Sequence, residues 1–337
     1  MRFHSVGAPV KVTRREVLVH SIGLPTIVAT TALPSSDAGN ENLIFAQRGR
    51  YERLLLDYVH LKIGLPRPFS VLHISDTHLT AAYAHEGADK LTLKDKRTRC
   101  FGGRQEDALR DSLAWAKENA DYVVHTGDLI DWQSEANYDL VRKYFGGNIC
   151  GSMGNHEFSP SMGFSQPKEE PTESFKDVSR KTLSAVFPFD IAFQSTVVNG
   201  VNFITLDDVY GIVTEAQTER FAQEVKRGLP IVLCMHVPIY SDAIAIASYK
   251  FWMRGDWKTK SLKFTSAAVP EMSATRRRQT ESQVMRDFVA MLRSERLLKA
   301  ILVGHEHFSM RDDFSPTAKQ YIVGGNFMFH GREFLFS

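Results

Sequence analysis

Five short polar clusters follow apolar stretches of this 337-residue chain, and they carry side chains of the types that bind metal ions. The candidate ligands are Asp76, His78, Asp128, Asn155, His236, His305 and His307. Oxygen and imidazole ligands without a thiolate suit manganese, iron or zinc ions better than a structural zinc site, which favours cysteine. Seven ligands exceed what one four- to six-coordinate ion needs. The set therefore predicts two ions that share one carboxylate.

The spacing inside the clusters indicates how the side chains converge. One residue separates Asp76 from His78, and one residue separates His305 from His307. Because side chains alternate along an extended strand, each pair is expected to project to one side of the chain. Glu306 is then expected to point away from the site and to take no part in catalysis. Sharp turns close to the ions are predicted at three glycines: Gly127, Gly154 and Gly304.

Two further histidines lie inside apolar stretches instead of after them. We interpret His73 and His125 as structural residues, because a lone histidine in a buried strand is more often held by hydrogen bonds than by an ion. Cys234 is interpreted as a small buried hydrophobic residue. The three cysteines cannot all pair and none has a CxxC spacing, which argues against a disulfide scaffold or a thiolate zinc site.

The elements that must position the clusters alternate between apolar strands and amphipathic helices from Phe69 onward. Strands are predicted at 69–75, 122–126, 148–153, 195–199, 201–206, 231–235 and 300–303, with a closing hairpin of 321–323 and 327–329. Helices are predicted at 104–119, 135–145, the second half of 158–185, 214–226 and from Thr280 onward, and 240–280 is predicted to be irregular. Each polar cluster lies at the carboxyl end of a strand, where α/β sheets bind ligands.

The order of the motifs resembles the calcineurin-like metallophosphoesterase family over about residues 68–330. The matching motifs are Asp76-x-His78, Gly127-Asp128, Gly154-Asn-His156-Glu157, His236 and Gly304-His-x-His307. The resemblance implies a four-layer αββα sandwich, in which two mixed sheets lie face to face with helices outside. It also implies a dinuclear metal site at the carboxyl ends of the strands.

The same resemblance assigns a role to each matching residue. The first ion would be held by Asp76, His78 and His307. The second would be held by Asn155, His236 and His305. Asp128 would bridge the two ions, and His156 would donate a proton or hydrogen bond to the leaving oxygen, so that these two are the expected catalytic residues.

The implied activity is hydrolysis of a phosphomonoester or phosphodiester. Two cations about 3.5 to 4 Å apart can bind the phosphoryl oxygens and lower the pKa of a bridging water, so that hydroxide attacks the phosphorus. His156 would assist departure of the alcohol.

One position departs from a branch of that family. Purple acid phosphatases carry a tyrosine three residues after the bridging aspartate, where this chain has Asp131. Manganese, or an iron–manganese pair, is therefore favoured over a purple iron site, and zinc stays open as an alternative. Asp131 is expected either to hydrogen-bond to a ligand from behind or to be solvated.

Two other functions stay open, a nuclease and a non-catalytic binding module on a degenerate form of the fold. The composition is that of a soluble globular protein, with 43% apolar and 24% charged residues. A formal charge of +2 and the lack of a long basic stripe argue against extended contact with nucleic acid. The expected partner is a small anionic phosphoester.

The stretch from 250 to 280 has eight basic residues against two acidic ones. It is interpreted as a lid that binds an anionic substrate, although charge runs of this kind are also typical of solvated loops. Its stacking surfaces would be Phe251, Trp252 and Trp257.

The first 45 residues are interpreted as an extension ahead of the metallophosphoesterase domain, which is predicted at 46–337. Thr13-Arg-Arg-Glu-Val-Leu18 precedes a mildly apolar stretch that ends at Leu33, and this pattern resembles a twin-arginine export signal. It predicts a periplasmic or other extracytoplasmic location. The alternative is an exposed strand at 16–20 in a cytoplasmic protein. No later segment reaches the ~18 uninterrupted apolar residues of a membrane-spanning helix, so no transmembrane anchor is expected.

Overall fold

The computed structural model describes residues 51–146, 148–159, 173–253 and 274–337 of the chain. The twin-arginine segment, the strand proposed as its alternative, the boundary at residue 45 and Trp257 lie outside the described residues. Within the described residues, no helix is both long and apolar enough to cross a membrane.

The first sheet contains five strands of the described chain. They are β1 (Leu55–Leu61), β2 (Phe69–Ile74), β3 (Tyr122–Thr126), β4 (Ile149–Ser152) and β11 (His330–Phe336). Their order across the sheet is β1-β11-β2-β3-β4. Strands β2, β3 and β4 are parallel, whereas β11 runs antiparallel to β2 and parallel to β1. The sheet is therefore mixed.

The second sheet contains six described strands. They are β5 (Phe193–Val198), β6 (Val201–Leu206), β7 (Ile231–Cys234), β8 (Leu298–Val303), β9 (Met310–Asp313) and β10 (Lys319–Ile322). Their order is β5-β6-β7-β8-β10-β9, and only the two edge strands β5 and β9 pair antiparallel with their neighbours.

Eight α-helical segments of the described chain accompany the sheets. They are α1 (Ala88–Cys100), α2 (Gln105–Asn119), α3 (Glu135–Tyr144), α4 (Glu173–Val186), α5 (Glu215–Val225), α6 (Asp242–Met253), α7 (274–281) and α8 (Gln283–Ser294).

Alternate residues of single strands enter different hydrophobic clusters, which shows the layering. Val71 and Phe203 belong to the cluster between the two sheets. Leu72, next to Val71, packs with Trp115 of α2 instead. Ile204, next to Phe203, packs with the cluster that includes helices α5 and α8. Because strand side chains alternate between faces, each sheet buries one face against the other sheet and one against helices, which confirms the four-layer arrangement.

Most of the predicted elements near the clusters are confirmed, including their local signals. At the start of α5 the side chain of Thr214 accepts a hydrogen bond from the backbone N–H of Gln217, and the side chain of Gln217 accepts one from the backbone N–H of Thr214, which together form a capping box. Asn199 and Gly200 have φ angles of 49° and 87° and join the antiparallel strands β5 and β6, as expected for a tight hairpin.

The predicted closing hairpin is wrong. Strand β10 ends at Ile322 in the second sheet, and the chain then passes through a 3₁₀ turn at Asn326–Met328. It enters the first sheet as β11, between β1 and β2. The first run ends in β10 and pairs with β8 and β9, whereas residues 327–329 of the second run lie in the 3₁₀ turn and the residue after it, so the two runs do not pair with each other.

The prediction of an irregular stretch at 240–280 is wrong where the structure describes it, since α6 and most of α7 lie there, while residues 254–273 lie outside the described residues. The helix cap expected at Thr280 lies at Ser282, whose side chain accepts a hydrogen bond from the backbone N–H of Met285. Strands β1, β9 and β11 and helix α1 carried no prediction. The residues of α1 are mostly charged or polar, so the sequence shows no apolar stripe that would indicate a helix there.

Candidate metal centre

The structure brings the side chains of all seven predicted ligands to one place, in two adjoining sets. In the first set, Nε2 of His78 lies 3.1 Å from Nε2 of His307. Oδ1 of Asp76 lies 3.4 Å from the same His307 nitrogen. These residues follow β2 and β8, whose carboxyl ends meet at the site although the strands belong to different sheets.

The second set follows β4, β7 and β8. Nε2 of His236 lies 3.2 Å from Oδ1 of Asn155 and 3.2 Å from Nδ1 of His305. Oδ2 of Asp128 lies 3.7 Å from Nε2 of His78 and 3.4 Å from Nε2 of His236. Asp128 thus lies between the two sets, in the position predicted for a shared carboxylate.

The nitrogen and oxygen atoms of the two sets are oriented to bind cations. Nδ1 of His236 lies 2.7 Å from the carbonyl oxygen of Thr126, which can only accept a hydrogen bond. The proton of neutral His236 therefore resides on Nδ1, and the lone pair of Nε2 faces the carboxylate of Asp128. In the same way, Nδ1 of His78 lies 3.0 Å from Oδ1 of Asp131, which leaves its Nε2 lone pair toward His307. A bound cation would complete lone pairs that converge in this way.

The electrostatics of the cluster agree with that fit. Burial opposes a charge on His236, but Asp128 and Asp76 more than offset it and raise the pKa of His236 to about 10. The pKa of Asp128 is held well below its ordinary value, because nearby histidines outweigh its burial. The buried carboxylates therefore create a negative potential that protons or metal ions can offset.

Five of the seven predicted ligands have left-handed backbone conformations. Their φ values are 54° for Asp76, 52° for His78, 55° for Asp128, 69° for His305 and 61° for His307. The expectation that the paired ligands share a side through strand alternation is therefore wrong, although the pairs do converge. Left-handed backbone at residues other than glycine costs about 1–3 kcal/mol each and persists where the surroundings impose it.

All three predicted glycines are required by close approach, and a Cβ atom on Gly127 would lie 2.6 Å from Nδ1 of His236 and 2.7 Å from the backbone nitrogen of Gly154. A Cβ atom on Gly154 would lie 2.1 Å from Oδ1 of Asp128. A Cβ atom on Gly304 would lie 1.9 Å from Oγ of Ser75 and 2.5 Å from Oδ2 of Asp76. The absence of a side chain lets these turns pass directly behind the carboxylates.

We expect Gly154→Ala to displace Asp128 and to reduce the metal content of the purified protein, with a loss of stability of about 1–3 kcal/mol. Gly146→Ala is the matched control, because a Cβ there meets no atom within 4 Å. Elemental analysis and urea unfolding measure the two effects. Wild-type metal content in Gly154→Ala would contradict the close packing of Gly154 against Asp128.

Asp131 is fully buried, so the alternative of a solvated carboxylate is wrong and the hydrogen-bonding alternative holds. Its Oδ1 atom lies 3.0 Å from Nδ1 of His78 and 2.9 Å from Nδ1 of His156. Arg97 donates from Nε to Oδ2 at 2.5 Å and from Nη2 to Oδ1 at 2.7 Å. Arg97 was not identified from the sequence, because it is one of several basic residues in the polar helix α1.

Glu157 is a second buried acid that orders the site. Its carboxylate accepts hydrogen bonds from the backbone N–H groups of Asp128, Ile130 and Gly154, at 2.9, 3.1 and 2.7 Å. Burial, together with the charge of Asp128, raises the pKa of Glu157 to about 7. Glu157 thus joins the turn that carries Asp128 to the loop that carries Asn155.

Asp208 plays a corresponding part beside the second set and carried no prediction. It accepts from the backbone N–H groups of His236 and Val237, at 2.8 and 3.2 Å. Burial raises the pKa of Asp208 to about 6. Its signal was available, since Asp208 closely follows the buried strand β6 as the recognised clusters follow their own strands.

His156 lies beside the two sets and its side chain is half-buried. Its backbone N–H donates to Oδ1 of Asp128 at 2.9 Å, and its Nε2 lies 3.9 Å from Oδ2 of Asp128. Burial disfavours a charged imidazole, but Asp128 and Asp131 outweigh it and raise the pKa of His156 to about 9. The arrangement therefore favours a proton on this ring.

The remaining sequence interpretations concern residues away from the donor atoms. Nε2 of His73 lies 2.9 Å from Oγ1 of Thr126, and Nε2 of His125 lies 2.9 Å from Oγ1 of Thr77. Both histidines are buried within the first sheet, as expected of structural residues. Cys234 is buried between the sheets. Glu306 is also buried.

Comparison with solved structures finds low similarity. A dimetal phosphatase from Danio rerio is 14% identical, with 77% of this chain and 88% of that chain covered and a TM-score of 0.44. The structure of PhoD is 12% identical, with 81% and 59% covered and a TM-score of 0.43. A 5′-nucleotidase from Candida albicans is 12% identical, with 77% and 45% covered and a TM-score of 0.35. The chain thus spans less than two thirds of the latter two.

No curated protein sequence matches the chain. A family model, by contrast, does match: that of the calcineurin-like phosphoesterases, over residues 69–309. The match covers more than half of the chain and includes every residue of the two donor sets. Two mixed sheets and a cluster of candidate ligands near them are consistent with the fold of those proteins. The chain therefore belongs to the calcineurin-like phosphoesterase family.

Proposed function

We propose that the protein is a metal-dependent phosphoesterase that hydrolyses a phosphomonoester or a phosphodiester. Family membership supports a hydrolase that acts on phosphate esters. The observation that carries the proposal is the pair of donor sets that meet at Asp128, with His156 beside them.

Each donor set would hold one ion. Asp76, His78 and His307 would bind the first. Asn155, His236 and His305 would bind the second, and Asp128 would contact both. When bound, such ions supply positive charge for the phosphoryl oxygens and a water of lowered pKa.

The protein's own groups supply the proton and the orientation. His156 would hold a proton for the leaving oxygen of the alcohol. Asp131 would fix the ring positions of His78 and His156 through their Nδ1 atoms, and Arg97 would fix Asp131 in turn. Oriented partners of this kind keep the reacting groups in place during phosphoryl transfer.

Hydrolysis of 4-nitrophenyl phosphate and of bis(4-nitrophenyl) phosphate, with metal and then with a chelator, tests this function. We expect chelation to abolish turnover. Manganese is the proposed metal, alone or paired with iron, because the donors are oxygen and nitrogen and Asp131 replaces a tyrosine. Zinc is the alternative, and reconstitution of the chelated protein with each ion compares them.

The same assay, with DNA and RNA added as substrates, decides between the remaining functions. A binding module would hydrolyse neither ester and would contain no stoichiometric metal. A nuclease would degrade DNA or RNA faster than small esters. The formal charge of +2 favours the small ester.

The lid hypothesis gains support from helix α7, while residues 254–273 of the lid lie outside the described residues. Nε2 of Gln279 donates to the carbonyl oxygen of Pro238 at 3.1 Å, and the backbone N–H of Tyr240 donates to its Oε1 at 2.7 Å. Nη1 of Arg278 donates to the carbonyl oxygen of Tyr210 at 3.1 Å. Helix α7 is thus fastened to the loop that follows His236.

Neutralising Arg276, Arg277 and Arg278 is expected to raise the KM for a polyanionic ester such as fructose 1,6-bisphosphate. Arg278 is half-buried and Arg276 and Arg277 are exposed. We therefore expect Arg278→Gln alone to raise the KM about tenfold, the effect of one charge-assisted hydrogen bond, and Arg277→Gln, the control, to change it little. An unchanged KM in the triple variant would exclude these arginines from substrate binding.

Export through the twin-arginine motif is part of the proposal. Replacing Arg14 and Arg15 by lysine in the full chain is expected to retain the protein inside the cell, because the motif is read as an arginine pair. Cell fractionation measures the location. A wild-type protein that stays inside the cell would favour the cytoplasmic alternative, and export that is independent of both arginines would exclude the twin-arginine route.

A further inference from the structure

The carboxyl-terminal end of helix α6 lies against one candidate metal ligand. The ring centroid of Trp252 is 5.5 Å from that of His307, and the ring planes meet at 58°. The neighbouring Phe251 packs on Phe308 at 5.4 Å. Trp252 is half-buried, so its indole ring lies against a ligand of the first set and also reaches solvent.

Support of His307 does not require Trp252. The buried ring of Phe327 lies 5.2 Å from His307 and 5.9 Å from His78. Phe101, which is also buried, stacks on His78 at 4.3 Å. Apolar rings therefore already pack against both imidazoles, and Trp252 adds a large, partly exposed aromatic face.

The proposed proton donor borders the same set of ligands. The ring centroid of His156 lies 4.6 Å from that of His78, which lies 5.1 Å from that of His307. The leaving oxygen would lie next to His156, so the alcohol bonded to that oxygen must extend from this part of the site. A ring carried by the alcohol would come within reach of Trp252.

We propose that Trp252 binds the alcohol portion of the substrate by stacking, so that the protein prefers phosphoesters whose alcohol carries a planar aromatic ring. The inference rests on the proposed phosphoesterase function. Stacking of a base on one aromatic side chain corresponds to about 10- to 100-fold in affinity. The residue would determine specificity and would not take part in the chemical step.

Adenosine 5′-monophosphate and ribose 5-phosphate test the proposal, because they share one primary phosphoester and differ by the aromatic base. The wild type is expected to prefer the nucleotide in kcat/KM. Trp252→Ala should lower kcat/KM for the nucleotide about tenfold or more and change that for the sugar phosphate little, whereas Trp252→Phe should retain most of the preference. Tyr249→Ala is the control, since Tyr249 is exposed on the same helix.

Equal losses on both substrates in Trp252→Ala would show that the indole only supports His307, and the proposal would be overturned. A wild type without preference for the nucleotide would overturn it as well. If the protein hydrolyses no phosphoester, the proposed function fails separately. Calorimetric binding of the two compounds to the metal-loaded protein then decides: weaker nucleotide binding by Trp252→Ala upholds stacking, and equal binding refutes it.

Discussion

Asp128→Asn is expected to lose bound metal and, with it, hydrolytic activity. The carboxylate lies within 4 Å of imidazole nitrogens from both donor sets, and the substitution removes its negative charge while it keeps the side-chain volume. Even the loss of a group that only orients a ligand lowers metal affinity about 10- to 100-fold. Removal of a ligand shared by two ions should exceed that range.

Metal content after dialysis against limiting metal, together with the rate of 4-nitrophenyl phosphate hydrolysis, measures the two losses. Asp177→Asn is the matched control, because it makes the same chemical change on an exposed carboxylate of helix α4. Asp128→Asn protein that retains two ions per chain would refute the bridging role.

His156→Ala is expected to retain its metal and to lose about 10²- to 10⁴-fold in kcat, the usual contribution of a positioned general acid. The His156 ring lies beside the donor sets, and its contacts are with Asp128 and Asp131. Because the proton is needed most by a poor leaving group, the loss should be larger for an alkyl phosphate than for 4-nitrophenyl phosphate.

Elemental analysis and steady-state kinetics on both esters test this division of roles. His85→Ala is the control, since His85 is an exposed histidine that pairs with Glu135 on the surface. If His156→Ala and Asp128→Asn lost metal equally, the two residues would not have separate functions. An equal loss of kcat on both esters would argue against proton donation.

The convergence of the candidate ligands could be predicted because they occur in short motifs whose residue types indicate metal binding. Asp76 and His78, or His305 and His307, need only each other and a strand end to be recognised. The backbone conformation of these residues could not be predicted from the motifs. Left-handed φ angles at histidine and aspartate are imposed by contacts such as the hydrogen bond from the backbone N–H of His305 to Oδ2 of Asp76, at 3.0 Å.

Residues that act through distant partners escaped prediction. Arg97 holds Asp131, and through it the candidate ligand His78, only because the fold places α1 beside Asp131. Glu157 lies in a recognised motif, but no role was predicted for it, because the backbone N–H groups that it binds, those of Asp128 and Ile130, lie in another loop. Nothing in the local sequence specifies such pairings.

The errors in secondary structure have a related cause. The apolar runs on either side of Gly324-Gly325 show an ordinary hairpin pattern, yet the first pairs within the second sheet and the second leads through a 3₁₀ turn into β11 of the first sheet. Helix α6 is apolar on much of its surface, so its pattern lacks the polar face of an amphipathic helix.

The passage of the chain from the second sheet to the first sets an order of assembly. Strand β11 lies between β1 and β2, and it is synthesised after every other described element. The backbone N–H of Asn326 donates to the carbonyl oxygen of Ser75, directly before Asp76, at 2.8 Å. Closing such long-range pairs is entropically demanding and occurs late in folding. A nascent chain can therefore complete the second sheet from β5 to β10 while the first still lacks β11, and on the proposed function the site would load its ions only after both sheets have closed.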